Sequence, residues 1–149
     1  MYKFTSQYCA DTKLGFKNED VVKPKIEKFF NKKFNTTGRY DPFDYFDDEK
    51  KIWIELKTRR VRKRQYDDTM IDISKVEYGL NKVNEGCRAF LMWSFTDKLC
   101  YYELKKDVKV WYERYGGRTD RGVDERKVCC YFPVDKLKTI TKKKSYVYK

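Results

Sequence analysis

Asp44, Glu55 and Lys57 are the residues whose chemistry this chain is best placed to combine. Ile52 to Lys57, IWIELK, reads as a β-strand. Side chains along a strand point to alternate faces, so Ile52, Ile54 and Leu56 share one face and Trp53, Glu55 and Lys57 the other. Asp44 lies eleven residues before Glu55, on the shorter apolar run Phe43 to Phe46. The polar segment Asp47 to Lys51 between them suits a hairpin turn. Closing that hairpin sets the two carboxylates side by side. Converging carboxylates offer the hard oxygen ligands that Mg²⁺ or Mn²⁺ prefers. An amine beside such an ion orients or activates a water, or neutralises charge developing on a phosphate. Asp41 is a competing choice for the first acid.

Glu-x-Lys alone is a common pattern in a lysine-rich chain. It occurs four times, at Glu49/Lys51, Glu55/Lys57, Glu103/Lys105 and Glu125/Lys127. Glu49 sits in the expected turn, and Glu125 follows a glycine-rich loop. The nearest acid before Glu103 is Asp97, in the tight turn entering its strand. Only Glu55 combines a strand, an upstream Asp across a hairpin and basic residues directly after it. Arranged so, the segment resembles the PD-(D/E)XK nuclease superfamily, whose signature is an Asp on one strand and Glu/Asp-x-Lys on its hairpin partner. Asp44 matches the Asp, Glu55, Leu56 and Lys57 match the second half, and Arg59 fits the E-x-K-x-R form. The family's Pro is displaced, since Asp41 and Pro42 lie slightly upstream of Asp44.

The resemblance implies an α/β (α+β) fold with a restriction-endonuclease-like αβββαβ core, a central mixed sheet flanked by helices. It implies a nuclease with Asp44, Glu55 and Lys57 as catalytic residues. Asp44, Glu55 and the backbone carbonyl of Leu56 are then the ligands of one or two Mg²⁺ or Mn²⁺ ions. Relatives often supply an extra acid from the helix before the hairpin, and Glu19 is the candidate here. Equally, Glu19 reads as a first-turn acid stabilising that helix. Products with a 5′-phosphate and a 3′-hydroxyl are implied as well. The compact, Lys- and Tyr-rich layout is similar to members carried by viruses and mobile elements. The cap-snatching viral endonucleases are disfavoured, because their site carries a histidine and this chain has none.

Other elements must hold these residues in place. A helix begins near Asn18, with Val22, Ile26, Phe29 and Phe30 on one face. Pro24 removes an intrahelical hydrogen bond and favours a start at that point instead. Phe34 to Arg39 reads as the first strand, with Gly38 marking a bulge or turn. From Lys57 to Arg64, six of eight residues are basic. Arg59, Arg60, Arg62, Lys63 and Arg64 are placed to hold phosphates, contacts that give affinity without sequence information and a steep salt dependence. Ser74 and Glu77 form a capping box for a second helix, with Val76, Leu80 and Val83 as its buried stripe and Gly86 at its end. Lys75, near the helix start, is a candidate to face the site and contact nucleic acid, as basic or amide residues at this point face the site in some relatives, and otherwise reads as a surface lysine. Arg88 to Phe95 is nearly continuously apolar and suits a strand buried on both faces, with Leu99 to Leu104 returning beside it.

The nuclease-like core therefore covers about residues 18–104 of a single domain, 1–149. Residues 112–127 read as a mobile loop in which Arg114, Arg118 and Arg121 meet phosphates. Val128 to Phe132 is a further strand, Asp135 to Ile140 a short helix or turn, and the tail is basic.

Lys plus Arg number 35 against 23 acids, a formal charge of +12, while 40% of residues are hydrophobic and 17% aromatic. Such an excess on a chain able to bury a core points to a polyanion, nucleic acid before a membrane surface. DNA is expected ahead of RNA, and a homodimer is compatible with the pattern. No apolar run approaches membrane-spanning length and the N-terminus lacks an h-region, so an intracellular or virion-packaged protein is expected, neither secreted nor membrane-bound. Five cysteines, with no C-x-x-C pair, read as small buried hydrophobes in a reducing compartment. The absence of histidine excludes Ser-His-Asp and Cys-His chemistry and leaves carboxylates, lysine and metal. Of thirteen tyrosines, Tyr40, Tyr66 and Tyr115 stand beside basic residues and can stack on unpaired bases, but nothing in the sequence singles them out. The rival is a non-catalytic nucleic-acid-binding or virion structural protein on the same fold, with Asp44 and Glu55 an incidental pair.

Overall fold

In the computed structural model, which describes residues 21–38, 41–116 and 127–142, the hairpin forms where the sequence places it. β1 (Phe34–Thr36), β2 (Tyr45–Asp47) and β3 (Ile52–Thr58) run antiparallel in turn. β1 is shorter than expected: after Thr37, whose amide still bonds the carbonyl of Asp44 at 3.0 Å, the chain turns, with the amide of Asp41 donating to the carbonyl of Gly38 at 3.0 Å. Asp47 fixes the β2–β3 turn: its buried carboxylate accepts from the amides of Lys51 (2.7 Å) and Ile52 (2.9 Å). Burial pushes this carboxyl up, but the two amides and Lys32 outweigh it and hold the group below its ordinary value.

The first helix, α1, is helical over 21–30 and so is already formed ahead of Pro24 rather than starting there. Val22, Ile26 and Phe30 pack on the sheet as expected. Phe29, expected on the same stripe, is 42% exposed and leans on Tyr101.

β4 (Asp68–Asp72) runs directly into the second helix, α2 (Ile73–Asn84). The capping box does not form. Asp72 is the N-cap, and its carboxylate accepts from the amide of Ser74 at 2.9 Å. Asp ranks at least as high as Ser as a cap, and the strand end delivers it one residue before the helix. Val76 and Gly79 are the buried face of α2, with Leu80 and Val83 packed partly against the core. A Cβ on Gly79 would stand 2.5 Å from Leu104 Cδ1 and 3.0 Å from Phe43 Cζ, so the missing side chain is what lets α2 lie close to the sheet. Gly86 ends the helix with φ of 91°.

β5 (Arg88–Ser94) is parallel to β3, and β6 (Lys98–Leu104) and β9 (Lys138–Lys142) complete a six-stranded mixed sheet in the order β1-β2-β3-β5-β6-β9. The segment expected to be a short helix or turn is a 3₁₀ turn, Val134–Lys136, followed by β9. Thr139, Ile140 and Thr141 are β-branched, and Thr139 and Thr141 pair with the open edge of β6 on either side of a bulge. β7 (Tyr112–Gly116) and β8 (Lys127–Pro133) form a second sheet with β4, ordered β4-β8-β7. The N-terminal part of the expected loop is thus a strand, paired with β8 from Tyr112 to Gly116. The rest of that loop, including Arg118 and Arg121, lies outside the described residues, as do Glu19 and Tyr40.

The main sheet separates two cores. Ile52, Ile54, Leu56, Phe90 and Met92 pack under α1. Trp53, Leu91, Trp93, Val76, Ile71 and Phe132 pack on the other side, between the main sheet, α2 and the second sheet. β5 is buried on both faces, as its unbroken apolar run requires. Cys100, Cys129 and Cys130 are buried thiols, and no described helix is long and apolar enough to cross a membrane.

Candidate active site

Strand register brings the two acids together. Tyr45 pairs with Ile54, so Asp44 arrives across from Glu55, with its own amide bonded to the carbonyl of Ile54 at 2.9 Å. Asp44 Oδ2 accepts from the amide of Leu56 at 2.7 Å. The Asp44 carboxyl lies beside that of Glu55, near enough for its charge to raise the Glu55 carboxyl. Glu55 points to the α2 side of β3 and is only 2% exposed.

Two amines flank the pair. Lys57 Nζ is 3.8 Å from Glu55 Oε1, and Lys75 Nζ, reaching down from the first turn of α2, is 3.3 Å from Oε2. Lys75 also donates to the carbonyl of Pro42. Its amine is close enough to attract Oε2 but off the angle of a hydrogen bond, and that buried oxygen has no hydrogen-bond partner. Burial and then the Asp44 charge push the Glu55 carboxyl up to about 8, against the pull of both lysines. Burial also raises Asp44, resisted by the Leu56 amide and by Lys75 and Lys57. Lys57 is pushed below its ordinary value by burial and by the neighbouring charges of Arg59 and Lys75. The two acids therefore titrate as one unit.

An unsatisfied, buried carboxylate oxygen beside a second carboxyl fits a hard divalent cation. Among the described residues no cluster of three or more His, Cys, Asp or Glu surrounds it, so the acid donors here are two, with the Leu56 backbone against them. Asp41 is turned elsewhere: its Oδ1 accepts from the amide of Phe43 at 3.1 Å and its carboxylate meets Tyr78. The rival Glu-x-Lys at Glu103 is a surface cluster, bonded to Arg88 at 2.9 Å and Lys105 at 3.1 Å.

The basic run divides. Arg60 and Arg62 are exposed, and Arg64 is exposed but paired with Asp135 at 2.6 Å. Arg59 is half-buried and donates to the carbonyl of Met70. Lys63 does not face phosphates. It is buried, with Nζ on the carbonyl of Leu137 at 3.2 Å and its amide on Asp97 at 2.9 Å, because the segment folds beneath the 3₁₀ turn and needs a donor there. Lys75 belongs to the acid pair rather than to the basic run. Sequence reasoning missed an aromatic cluster on the second sheet: Tyr112 stacks on Tyr131 at 5.2 Å and 10°, with the Arg114 guanidinium 4.5 Å from the Tyr131 ring. The alternation of Tyr112 and Arg114 along YERY was the available signal.

A mixed sheet crossed by a helix, with an Asp/Glu-x-Lys ribbon at its centre, defines a protein of the PD-(D/E)XK nuclease class. A family model described as "Phage putative PDDEXK endonuclease" matches residues 5–140, and the chain belongs to this family of nucleases. No curated protein and no solved structure matches the chain.

Proposed function

We propose that this protein is a divalent-metal-dependent endonuclease of DNA, working through Asp44, Glu55 and Lys57. The observation that carries the reading is Glu55: a buried carboxylate with an unsatisfied oxygen, beside a second carboxyl and flanked by two amines. An orphaned polar atom of this kind costs about 1–3 kcal/mol, so a purely structural ion pair gains nothing by keeping it. Asp44, Glu55 and the Leu56 carbonyl would hold Mg²⁺ or Mn²⁺, which when bound polarises the phosphodiester and eases deprotonation of water. The chain's own groups supply the remaining parts. The Leu56 amide fixes the orientation of Asp44. Lys57, with its affinity for a proton lowered, orients a water and steadies charge growing on the phosphate. Lys75, anchored on the Pro42 carbonyl, keeps its charge beside the Glu55 carboxylate. Arg60 and Arg62, exposed just past β3, engage the flanking phosphates, and the +12 charge adds sequence-independent attraction. The family description supports internal cleavage rather than trimming from an end.

The test is nicking of supercoiled plasmid in Mn²⁺ and in EDTA, with wild type and Lys57→Ala. Nicking should need Mn²⁺ and fall by about 100-fold or more in Lys57→Ala, the scale for losing a positioned charge-stabilising group. Gel retardation in EDTA should persist in that variant. Plasmid that is retarded but intact in Mn²⁺ would make the protein a binding module instead.

A further inference from the structure

After β3 the chain passes Arg59 and Arg60 on its way to β4, and between this segment and the outer face of the second sheet lies a groove of about 370 Å³. That volume falls in the rough 300–1,000 Å³ range of small-ligand sites. Tyr66 and Tyr131 line it, together with Arg59, Arg60 and Arg62. Tyr66 is 61% exposed, and its ring stacks on no other ring among the described residues. Tyr131 is held by its stacking on Tyr112 and by the Arg114 guanidinium 4.5 Å from its ring. The acid of the lining, Asp68, is engaged by the Tyr112 hydroxyl. The groove thus combines an exposed aromatic face, a rigid aromatic face and guanidinium groups. Aromatic faces with a cationic margin take unpaired bases, because every base offers a π-face and its backbone carries the negative charge. Arg59 stands two residues beyond Lys57 and lines the groove, so a strand whose phosphate lies at Lys57 leads directly into it.

We infer that this groove is a stacking subsite in which Tyr66 and Tyr131 receive an unpaired nucleobase next to the scissile phosphate, so that the preferred substrate is single-stranded or frayed DNA. The inference rests on the nuclease reading for the location of that phosphate. In an intact duplex the base faces are already covered by their neighbours and cannot reach the rings.

Binding is measured in EDTA, where no cleavage enters, with single-stranded and blunt duplex oligonucleotides of the same sequence. Tyr66→Ala should weaken single-stranded binding by about 5- to 100-fold, the range for losing one stacked base, and leave duplex binding unchanged. Tyr66→Phe should retain single-stranded affinity. A fluorescent base analogue that dims on stacking should be quenched by wild type and not by Tyr66→Ala. Equal losses on both substrates, or none on either, would overturn the subsite. If wild type nicks plasmid but binds single strands without regard to Tyr66, the groove fails and the nuclease stands. If single-stranded affinity depends on Tyr66 while no DNA is cut, the groove stands and the nuclease fails.

Discussion

Replacing Glu55 with Gln isolates a buried acid whose charged form the fold disfavours. The carboxyl is 2% exposed, and burial together with Asp44 pushes it up to about 8. In the unfolded chain the same group ionises near the ordinary value of about 4.3. Between those limits the folded state keeps a proton that the unfolded state has released. Its contribution to stability is therefore complete below the ordinary value and is lost as pH rises toward about 8, at about 1.4 kcal/mol per pH unit. Across the whole window the loss reaches several kcal/mol, comparable with the roughly 5–15 kcal/mol that holds a domain folded. The slope belongs to the Asp44–Glu55 pair, because the charge of Asp44 acts on the ionisation of Glu55. Gln keeps the shape and stays neutral throughout. Urea unfolding in EDTA at about pH 5.5, 6.5 and 7.5 should show wild type losing about 1.4 kcal/mol per pH unit relative to Glu55→Gln. Mn²⁺ should reverse the loss in wild type, by about 2.7 kcal/mol at a hundred times its Kd, and do little for the variant. Parallel pH profiles for the two proteins in EDTA would refute the reasoning, since Glu55 would then ionise in the fold as it does in water.

Asp44→Ala should remove the calorimetric heat of Mn²⁺ binding, whereas Asp41→Ala should keep it, because Asp41 is committed to the Phe43 amide and Tyr78. The opposite pattern would transfer the ligand role to Asp41. Lys63→Ala should lower urea stability by about 1–3 kcal/mol by stripping the buried Leu137 carbonyl of its donor, while Arg62→Ala should leave stability within about 0.5 kcal/mol and reduce the salt slope of DNA binding by about 1. Exchange of those two results would place Lys63 in the interface. Gly79→Ala should destabilise by about 1–2 kcal/mol in thermal unfolding, since the overlap with Leu104 and Phe43 exceeds the gain of about 1 kcal/mol in helix propensity. A more stable variant would mean that α2 retreats from the sheet at little cost.

What the sequence made legible is what neighbours along the chain decide. The hairpin, the faces of β3, the doubly buried β5 and the Gly86 stop all follow from local periodicity and turn chemistry. What it left dark is decided by partners far along the chain. β4, DTMID, carries only a weak alternating signal and becomes a strand because β8 pairs with it. Lys63 looks like its basic neighbours until the Leu137 carbonyl arrives above it. Ser74 is a sound cap by itself, and loses to Asp72 only because β4 delivers that carboxylate first. At the candidate site, Asp44 and Glu55 were paired by hairpin logic, but the contact of Lys75 with Glu55 depends on how closely α2 crosses the sheet.

That closeness is itself a matter of one side chain. Gly79 lies one turn beyond Lys75, so the two share a face of α2. With no Cβ at 79, the helix settles against Leu104 and Phe43, and the amine of Lys75 comes to 3.3 Å from Glu55 Oε2. A residue with a side chain there would lift the helix and withdraw the amine, leaving the buried acid with Lys57 alone at 3.8 Å. A better-aligned approach would let Lys75 satisfy the orphaned oxygen as a full hydrogen-bonded ion pair and remove its appetite for a cation. The observed spacing lies between these limits. It offsets enough of the buried charge for the fold to tolerate Glu55, and it leaves one oxygen unsatisfied for a ligand to complete.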